Sequence, residues 1–329
     1  MTGGWLRGSR RRALCAGGRF AGPPAWVVAG RLVAGSGVAS GSVVSLRDGR
    51  WLAEDRRVGR AEHADSADGA AGVPPWARGA RAVAVLTGAG ISTDSGIPDF
   101  RGPQGLWTTN PGAERLSTYQ AYVSDAAVRR RSWRARRDHP AWRAEPNPAH
   151  VALAGLARAR LVTSVITQNI DGLHQKAGTP ADRVIELHGT MFSVVCVSCG
   201  DRSRMADALA RVDAGEEDPP CTRCGGILKS ATVMFGQPLD PGVLARAGEA
   251  AAACDLFLAV GSTLTVEPAA SLCGVAVAAG AALVIVNRDP TPYDPLAAEV
   301  IRDPIGDAVP RIASQLQGAP HGDTAPGRP

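Results

Sequence analysis

Four cysteines stand in two pairs, Cys196-Val-Ser-Cys199 and Cys221-Thr-Arg-Cys224, separated by twenty-one residues. A glycine follows each pair, Gly200 in one case and Gly225-Gly226 in the other. Two C-x-x-C turns at that separation suit four thiolates around one tetrahedral zinc ion. Four cysteines close the coordination sphere, so the metal is expected to be structural. The loop between the pairs carries Asp213, Glu216, Glu217 and Asp218, which argues against a zinc ribbon that grips nucleic acid.

A second group lies in 83–107, V-A-V-L-T-G-A-G-I-S-T-D-S-G-I-P-D-F-R-G-P-Q-G-L-W. The apolar run 83–86 breaks at Gly88-Ala89-Gly90, and Ser92 and Thr93 offer a helix start. A strand that enters a glycine turn and then a helix N-terminus can cradle a phosphate. The glycines let the backbone approach the ligand, and free N–H groups favour negative charge. An ordinary tight turn uses the same glycines. Pro98-Asp99-Phe100-Arg101-Gly102, however, adds an acid, an aromatic ring and a guanidinium that a plain turn does not need.

Three more residues could do chemistry. His188, in Glu186-Leu187-His188-Gly189, could act as a general base near neutral pH or sit as a capped structural histidine. Asn169 and Asp171 follow a buried run and could bind an amide or cap a turn.

Short apolar runs position these groups. Strands are expected at 82–86, 161–166, 184–187, 231–235, 256–260 and 282–286, and helices at 149–158, 241–253, 268–279 and 307–315. Asn147-Pro148 gives one helix an N-cap followed by proline. Strands alternating with helices indicate an α/β fold with a parallel, doubly wound sheet. In such sheets ligands lie beyond the carboxyl ends of the strands. The polar clusters 88–92, 168–171, His188, 261–263 and Asn287 recur there, which suggests one nucleotide-sized site. A hydride-transfer fingerprint is missing. Gly96 follows Gly90 after five residues rather than two, and the second strand ends in Gln168-Asn169 instead of an acid.

The chain has 329 residues, 45% hydrophobic and 20% charged, with a net charge of +5. The excess is arginine, since Lys176 and Lys229 are the only lysines, and 39 Gly and 24 Pro fit a GC-rich coding sequence. The charge therefore does not imply a nucleic-acid partner. No run is long enough to span a membrane, for Arg31 interrupts 25–44. Residues 1–75 show no lasting period and hold no acid before Asp48. They are expected to form a disordered extension, with a transit peptide or an over-called start near Val73 as alternatives.

Together these residues resemble the sirtuin family of NAD-dependent protein lysine deacylases. The matching segments are G88-A-G-I-S-x-x-S-G-I-P-D-F-R101-G, T167-Q-N-I-D171-G-L-H174, E186-L-H-G189, both cysteine pairs, V260-G-S-T263 and I285-V-N287. They run from about residue 80 to 316. The resemblance implies a Rossmann-like sheet with a small inserted four-cysteine zinc module and a helical insertion. The catalytic domain would be 76–317, with its core in 76–102, 147–191 and 231–317. The insertion would be 103–146, the zinc module 192–230, and the tail 318–329.

The resemblance also implies roles. Gly88, Ala89, Gly90 and Ser92, with Arg101, would hold the pyrophosphate side of NAD, and Phe100 would cover the nicotinamide ribose. Ile97, Asn169 and Asp171 would line the nicotinamide pocket, with Gln168 on the ribose. Gly261, Ser262, Asn287 and Ile305 would bind the adenosine half. Asn169 and His188 would be catalytic, His188 as the base. The acyl oxygen of a modified lysine would attack the anomeric carbon as nicotinamide leaves, giving free lysine and O-acyl-ADP-ribose. NAD and one structural zinc ion are the implied cofactors, and acyl-lysine proteins the partners, in the cytoplasm.

Phe235-Gly236-Gln237 and Gly261-Ser262-Thr263 depart from the F-G-E and G-T-S of many relatives. The Tyr-x-x-Arg pair of relatives that remove acidic acyl groups is absent from the insertion, and Trp133-x-x-Arg136 is its nearest approximation. Acetyl is therefore expected over succinyl. The run Arg129-Arg130-Arg131 is expected to be a solvated helix face. Two other functions use the same features: a mono-ADP-ribosyltransferase, and a non-enzymatic zinc protein that binds NAD or nucleic acid.

Overall fold

Strands of three to six residues, rich in valine, leucine, isoleucine and alanine, build one parallel sheet. The computed structural model describes residues 73–110, 115 and 117–318, and the backbone of an antiparallel hairpin, β1 (Val44–Arg47) and β2 (Arg50–Ala53). The rest of the N-terminal extension to residue 72, and the tail after residue 318, lie outside the described residues. The sheet holds β3 (Val83–Thr87), β4 (Val162–Thr167), β5 (Val184–Glu186), β9 (Leu256–Val260), β10 (Ala282–Val286) and β11 (Glu299–Ile301). Their order is β11-β10-β9-β3-β4-β5, and every pairing is parallel.

Both faces of the sheet are covered, because successive side chains point to opposite sides. The α-helices among the described residues are α1 (Leu106–Thr109), α2 (Tyr119–Ser124), α3 (Ala126–Arg137), α4 (Pro148–Arg158), α5 (Leu173–Lys176), α6 (Met205–Asp213), α7 (Pro241–Ala252), α8 (Ser271–Ala278) and α9 (Ile305–Gly318). Val83, Val85, Leu256 and Leu258 pack with α4 and α9. Ala84, Leu86, Phe257 and Ile285 pack with α7 and α8. The fold is thus the expected doubly wound α/β sheet.

The chain leaves β3 through β4 to β5, then returns to β9 on the other side of β3. The direction of winding reverses between β3 and β9, the point at whose strand ends such sheets bind ligands. Two loops meet there. The Gly88 N–H donates to the Val260 carbonyl at 3.0 Å and the Gly90 N–H to the Gly261 carbonyl at 2.9 Å. Gly261 has φ 64°, and a Cβ there would lie 2.5 Å from the Ile91 nitrogen, so no larger residue fits. The Asn147 side chain caps α4 as expected, and its Nδ2 also donates to the Ile91 carbonyl at 2.7 Å.

A second sheet, order β7-β6-β8, is antiparallel and comprises β6 (Gly189–Cys196), β7 (Arg202–Arg204) and β8 (Leu228–Thr232). The strand expected at 231–235 is β8, displaced by three residues and paired with β6 rather than with the parallel sheet. Beyond it, Gly236 has φ 87° and turns the chain, leaving Phe235 exposed. The expectation of a solvated basic helix face holds for the exposed Arg131 and is corrected for Arg129, which is shielded. Trp133 of α3 is buried in the cysteine module's core beside Val194 and Met205. That fixes the helix so that Arg129 meets Asp218 at 2.7 Å, Arg130 meets Glu217 at 3.7 Å and Arg134 meets Glu217 at 3.8 Å. The sequence separates these partners by more than eighty residues, so the helix alone shows no acid for them.

The Arg129–Asp218 side chains are 14% and 24% exposed, against 54% and 65% for Arg134–Glu217. A shielded, charge-assisted bond is worth more than an exposed one. We expect Arg129→Ala to cost about 2 kcal/mol in urea unfolding and Arg134→Ala less than about 0.5 kcal/mol. Equal losses would show that shielding contributes nothing.

Candidate functional site

The loop after β3 is a 3-10 helix, Ala89–Ser95, capped by Gly88 and ended by Gly96 at φ 81°. The helix begins three residues before the expected start, and Gly96 is its left-handed C-cap. That accounts for the long glycine spacing. Ser92 points inward and is 1% exposed. Its Oγ donates to Asp171 Oδ2 at 2.7 Å and accepts from Asn169 Nδ2 at 3.1 Å. Asn169 Nδ2 also donates to the Gly88 carbonyl at 3.1 Å. Gln168 Nε2 donates to Ser262 Oγ at 2.9 Å, joining the ends of β4 and β9. His188 Nδ1 faces the Gln168 carbonyl at 2.8 Å. Six residues singled out in the sequence are therefore linked: Ser92, Gln168, Asn169, Asp171, His188 and Ser262. Asp171 also serves as a turn cap, since Oδ1 accepts the Leu173 N–H at 3.0 Å. The turn-cap reading of that residue therefore holds, and its other carboxylate oxygen is held by Ser92.

A carbonyl accepts and never donates, so the neutral His188 ring carries its proton on Nδ1 and leaves Nε2 as the base. Burial pushes the His188 pKa below the ordinary histidine value, with the Gln168 carbonyl pulling weakly the other way. Protonation then removes the base only at lower pH. We expect kcat/KM to stay level through neutrality and to fall on the acid side below about pH 6.5. An acid limb centred above pH 7 would place the base elsewhere.

The rim is aromatic. Phe100 is 43% exposed, its ring lies 5.0 Å from Trp107, and Trp107 lies 5.3 Å from Phe235. The Arg101 guanidinium sits 4.7 Å over the Trp107 ring. It makes no ion pair among the described residues, so its charge is free for an anion. Ile97 is buried under the loop with Leu173 and Met191. Ala89 lies half-buried between the two clamped glycines.

Asn287 and Ile305 stand apart from the network. Asn287 follows β10, one strand beyond β9; its Nδ2 donates to the Asp289 carbonyl at 2.8 Å. Ile305 opens α9. Trp107, Thr87 and His174 join these groups without a local motif of their own. The signals available were a tryptophan closing the glycine-rich stretch, threonines ending β3 and β4, and a histidine three residues after Asp171.

The four cysteine sulfurs lie within 4.8 Å of one another, with Cys196–Cys224 at 3.5 Å and Cys199–Cys221 at 3.8 Å. Zinc–sulfur bonds of about 2.3 Å in a tetrahedron put sulfurs about 3.8 Å apart, so the cluster fits zinc. Gly200 and Gly225, at φ 71° and 72°, make the turns that follow each pair. A Cβ on Gly226 would lie 2.5 Å from Ser198 Oγ, so glycine lets the two turns close on each other.

A model of the Sir2 family matches residues 88–268. The chain is 59% identical over 234 residues to NAD-dependent protein deacetylase 2 of Streptomyces coelicolor, across 71% of this chain and 97% of that relative.

This chain belongs to the Sir2 family.

A solved Sir2 enzyme is 40% identical with a TM-score of 0.66, covering 72% of this chain and 93% of its own. A Sir2 variant solved with a deacetylated p53 peptide and 3′-O-acetyl-ADP-ribose is 35% identical with a TM-score of 0.66, covering 72% of this chain and 94% of its own. The family match thus takes in the loops that meet at the reversal point and the cysteine module. Trp133-x-x-Arg136 does not reach the aromatic rim, because Trp133 is buried with Val194 and Met205 in the module's core. Among the described residues no helix is long and apolar enough to cross a membrane.

Proposed function

We propose that this chain is an NAD-dependent protein-lysine deacylase, first of all a deacetylase, with 76–317 as its catalytic unit. The observation that carries the reading is the hydrogen-bonded network from Ser92 through Asn169 and Asp171, and from Ser262 through Gln168 to His188. It converges at the reversal point of the sheet. NAD, when bound, supplies a glycosidic bond whose cleavage releases nicotinamide and exposes an electrophilic ribose carbon.

This chain's residues then have separate tasks. Arg101, free of carboxylates, suits the pyrophosphate charge. Asp171 and Asn169 are held rigid by Ser92 and Gly88 and can grip a carboxamide. Ser262 and Asn287 follow the strands on the adenosine side. His188 Nε2 takes a proton from a hydroxyl, and the Gln168 carbonyl steadies the imidazolium through Nδ1–H. Phe100, Trp107 and Phe235 offer an apolar wall to an acyl-lysine side chain on a protein substrate. The four cysteines hold zinc away from this chemistry. We place the enzyme in the cytoplasm, where thiols stay reduced for a metal.

Incubation with NAD and an acetyl-lysine peptide, followed by mass spectrometry, tests the reading. Free lysine peptide together with O-acetyl-ADP-ribose is expected. Protein-bound ADP-ribose with unchanged peptide would make it a transferase, and intact NAD would make it a binding module. Faster turnover of the succinyl twin would overturn the acetyl preference.

A further inference from the structure

Behind the network lies a second, fully buried one. Thr87 ends β3 and Thr167 ends β4, and the two are register partners in the sheet. Thr87 Oγ1 donates to Thr167 Oγ1 at 2.8 Å, and Thr167 Oγ1 accepts the Asn169 backbone N–H at 3.0 Å. On the other side, Thr87 Oγ1 lies 2.9 Å from His174 Nε2. Thr87, Thr167 and His174 are 0%, 3% and 1% exposed. The ring of His150, also buried, lies 5.0 Å from that of His174 and is tilted 58° to it.

The donors and acceptors settle a direction. Thr87 gives its hydroxyl hydrogen to Thr167 and therefore accepts from His174, which makes His174 the Nε2–H tautomer. Its Nδ1 has no protein partner. With the proton on Nε2, only a lone pair goes unmet there. The opposite tautomer would bury an unmet N–H, the rarer and costlier arrangement.

We propose that His174, Thr87 and Thr167 form a buried positioning relay that fixes the backbone of Asn169, and with it the turn 168–171 that faces NAD. The inference rests on the deacylase reading for what occupies the site. Asn169 is pinned at two points, its side chain by Gly88 and Ser92 and its main chain by Thr167. The same turn lends the Gln168 carbonyl to His188. Thr87 also precedes Gly88, so one hydroxyl ties the loop after β3 to the turn after β4. The relay touches no ligand, and its effect is on where the ligand-facing groups stand.

Thr87→Val removes the hydroxyl and keeps the volume; Thr87→Ser restores the hydroxyl. In the full-length zinc-loaded protein, Thr87→Val is expected to weaken NAD binding by calorimetry, and raise KM for NAD, about tenfold. KM for the acetyl peptide should change less than about twofold, and Thr87→Ser should stay near wild type. Amide exchange at Asn169 should quicken in the valine variant, and His174→Leu should reproduce both effects. The ring nitrogen shifts of His174 should report the neutral Nε2–H tautomer.

A purely structural role would lower Tm and the active fraction while leaving both KM values and the Asn169 amide unchanged, and that result overturns the relay. So does a serine variant as impaired as the valine one. If wild-type protein binds NAD but leaves acetyl peptide intact, the deacylase reading fails alone, and the calorimetry and exchange data still decide the relay. If wild-type protein binds no NAD, both fail.

Discussion

His188→Ala is expected to lower kcat/KM for deacetylation by about a hundredfold to ten-thousandfold, the range that a general base contributes. The substitution removes one side-chain hydrogen bond, from Nδ1 to the Gln168 carbonyl. The main-chain bond at this position survives, because the His188 carbonyl accepts the Val233 N–H regardless of side chain. Thermal stability and zinc content should therefore stay near wild type while turnover collapses. NAD affinity should fall far less than turnover, since Gln168, Asn169, Asp171 and Ser92 keep their own partners. Steady-state kinetics, differential scanning fluorimetry and calorimetry separate these quantities. Deacetylation at the wild-type rate would move the base to another residue. Parallel loss of turnover and Tm would mean that the histidine is a structural cap.

What the sequence shows of this site follows from what local physics can report. Leu256–Val260 and Ala282–Val286 form at their expected residues because both faces of these strands are buried, so the apolar runs are unbroken. The polar residues after each run were legible for the same reason, since a run that stops abruptly marks a strand end. β11 carries a glutamate in three residues and shows no run at all. β8 holds Lys229 in its middle, buried only because the Nζ finds the Ser230 and Thr232 carbonyls. The acids that pair with the arginines of α3 lie in the loop between the two cysteine pairs, more than eighty residues away in sequence. Thr87 and Thr167 looked like ordinary strand residues, and only the register that sets them side by side turns two hydroxyls into a link. The arginine pairs and the threonine link both join residues eighty or more positions apart in the chain.

Zinc removal is expected to abolish activity from a distance, and the path is visible. The module's apolar core is small: Val194, Met205, Ala208, Val212 and Leu228, with Trp133 from α3. Structural zinc contributes about 10–16 kcal/mol of apparent folding energy in small zinc domains. That rivals the whole stability of a typical protein, about 5–15 kcal/mol. Without the metal, β6, β7 and β8 cannot hold. β6 begins at Gly189, the residue after His188, and Gly189 pairs with Thr232 at the end of β8. The next residue, Val233, donates its N–H to the His188 carbonyl at 2.8 Å. Loss of the small sheet therefore frees both backbone supports of the base. The parallel sheet keeps its own core on both faces and should remain folded. Cys221→Ser, or chelation, should then leave most helical circular dichroism in place and open 192–230 to protease. It should reduce turnover by about a hundredfold or more, the cost of misplacing a catalytic group by an ångström. Metal analysis beside kinetics checks this. A zinc-free variant that deacetylates at the wild-type rate would show that His188 is held by the parallel sheet alone.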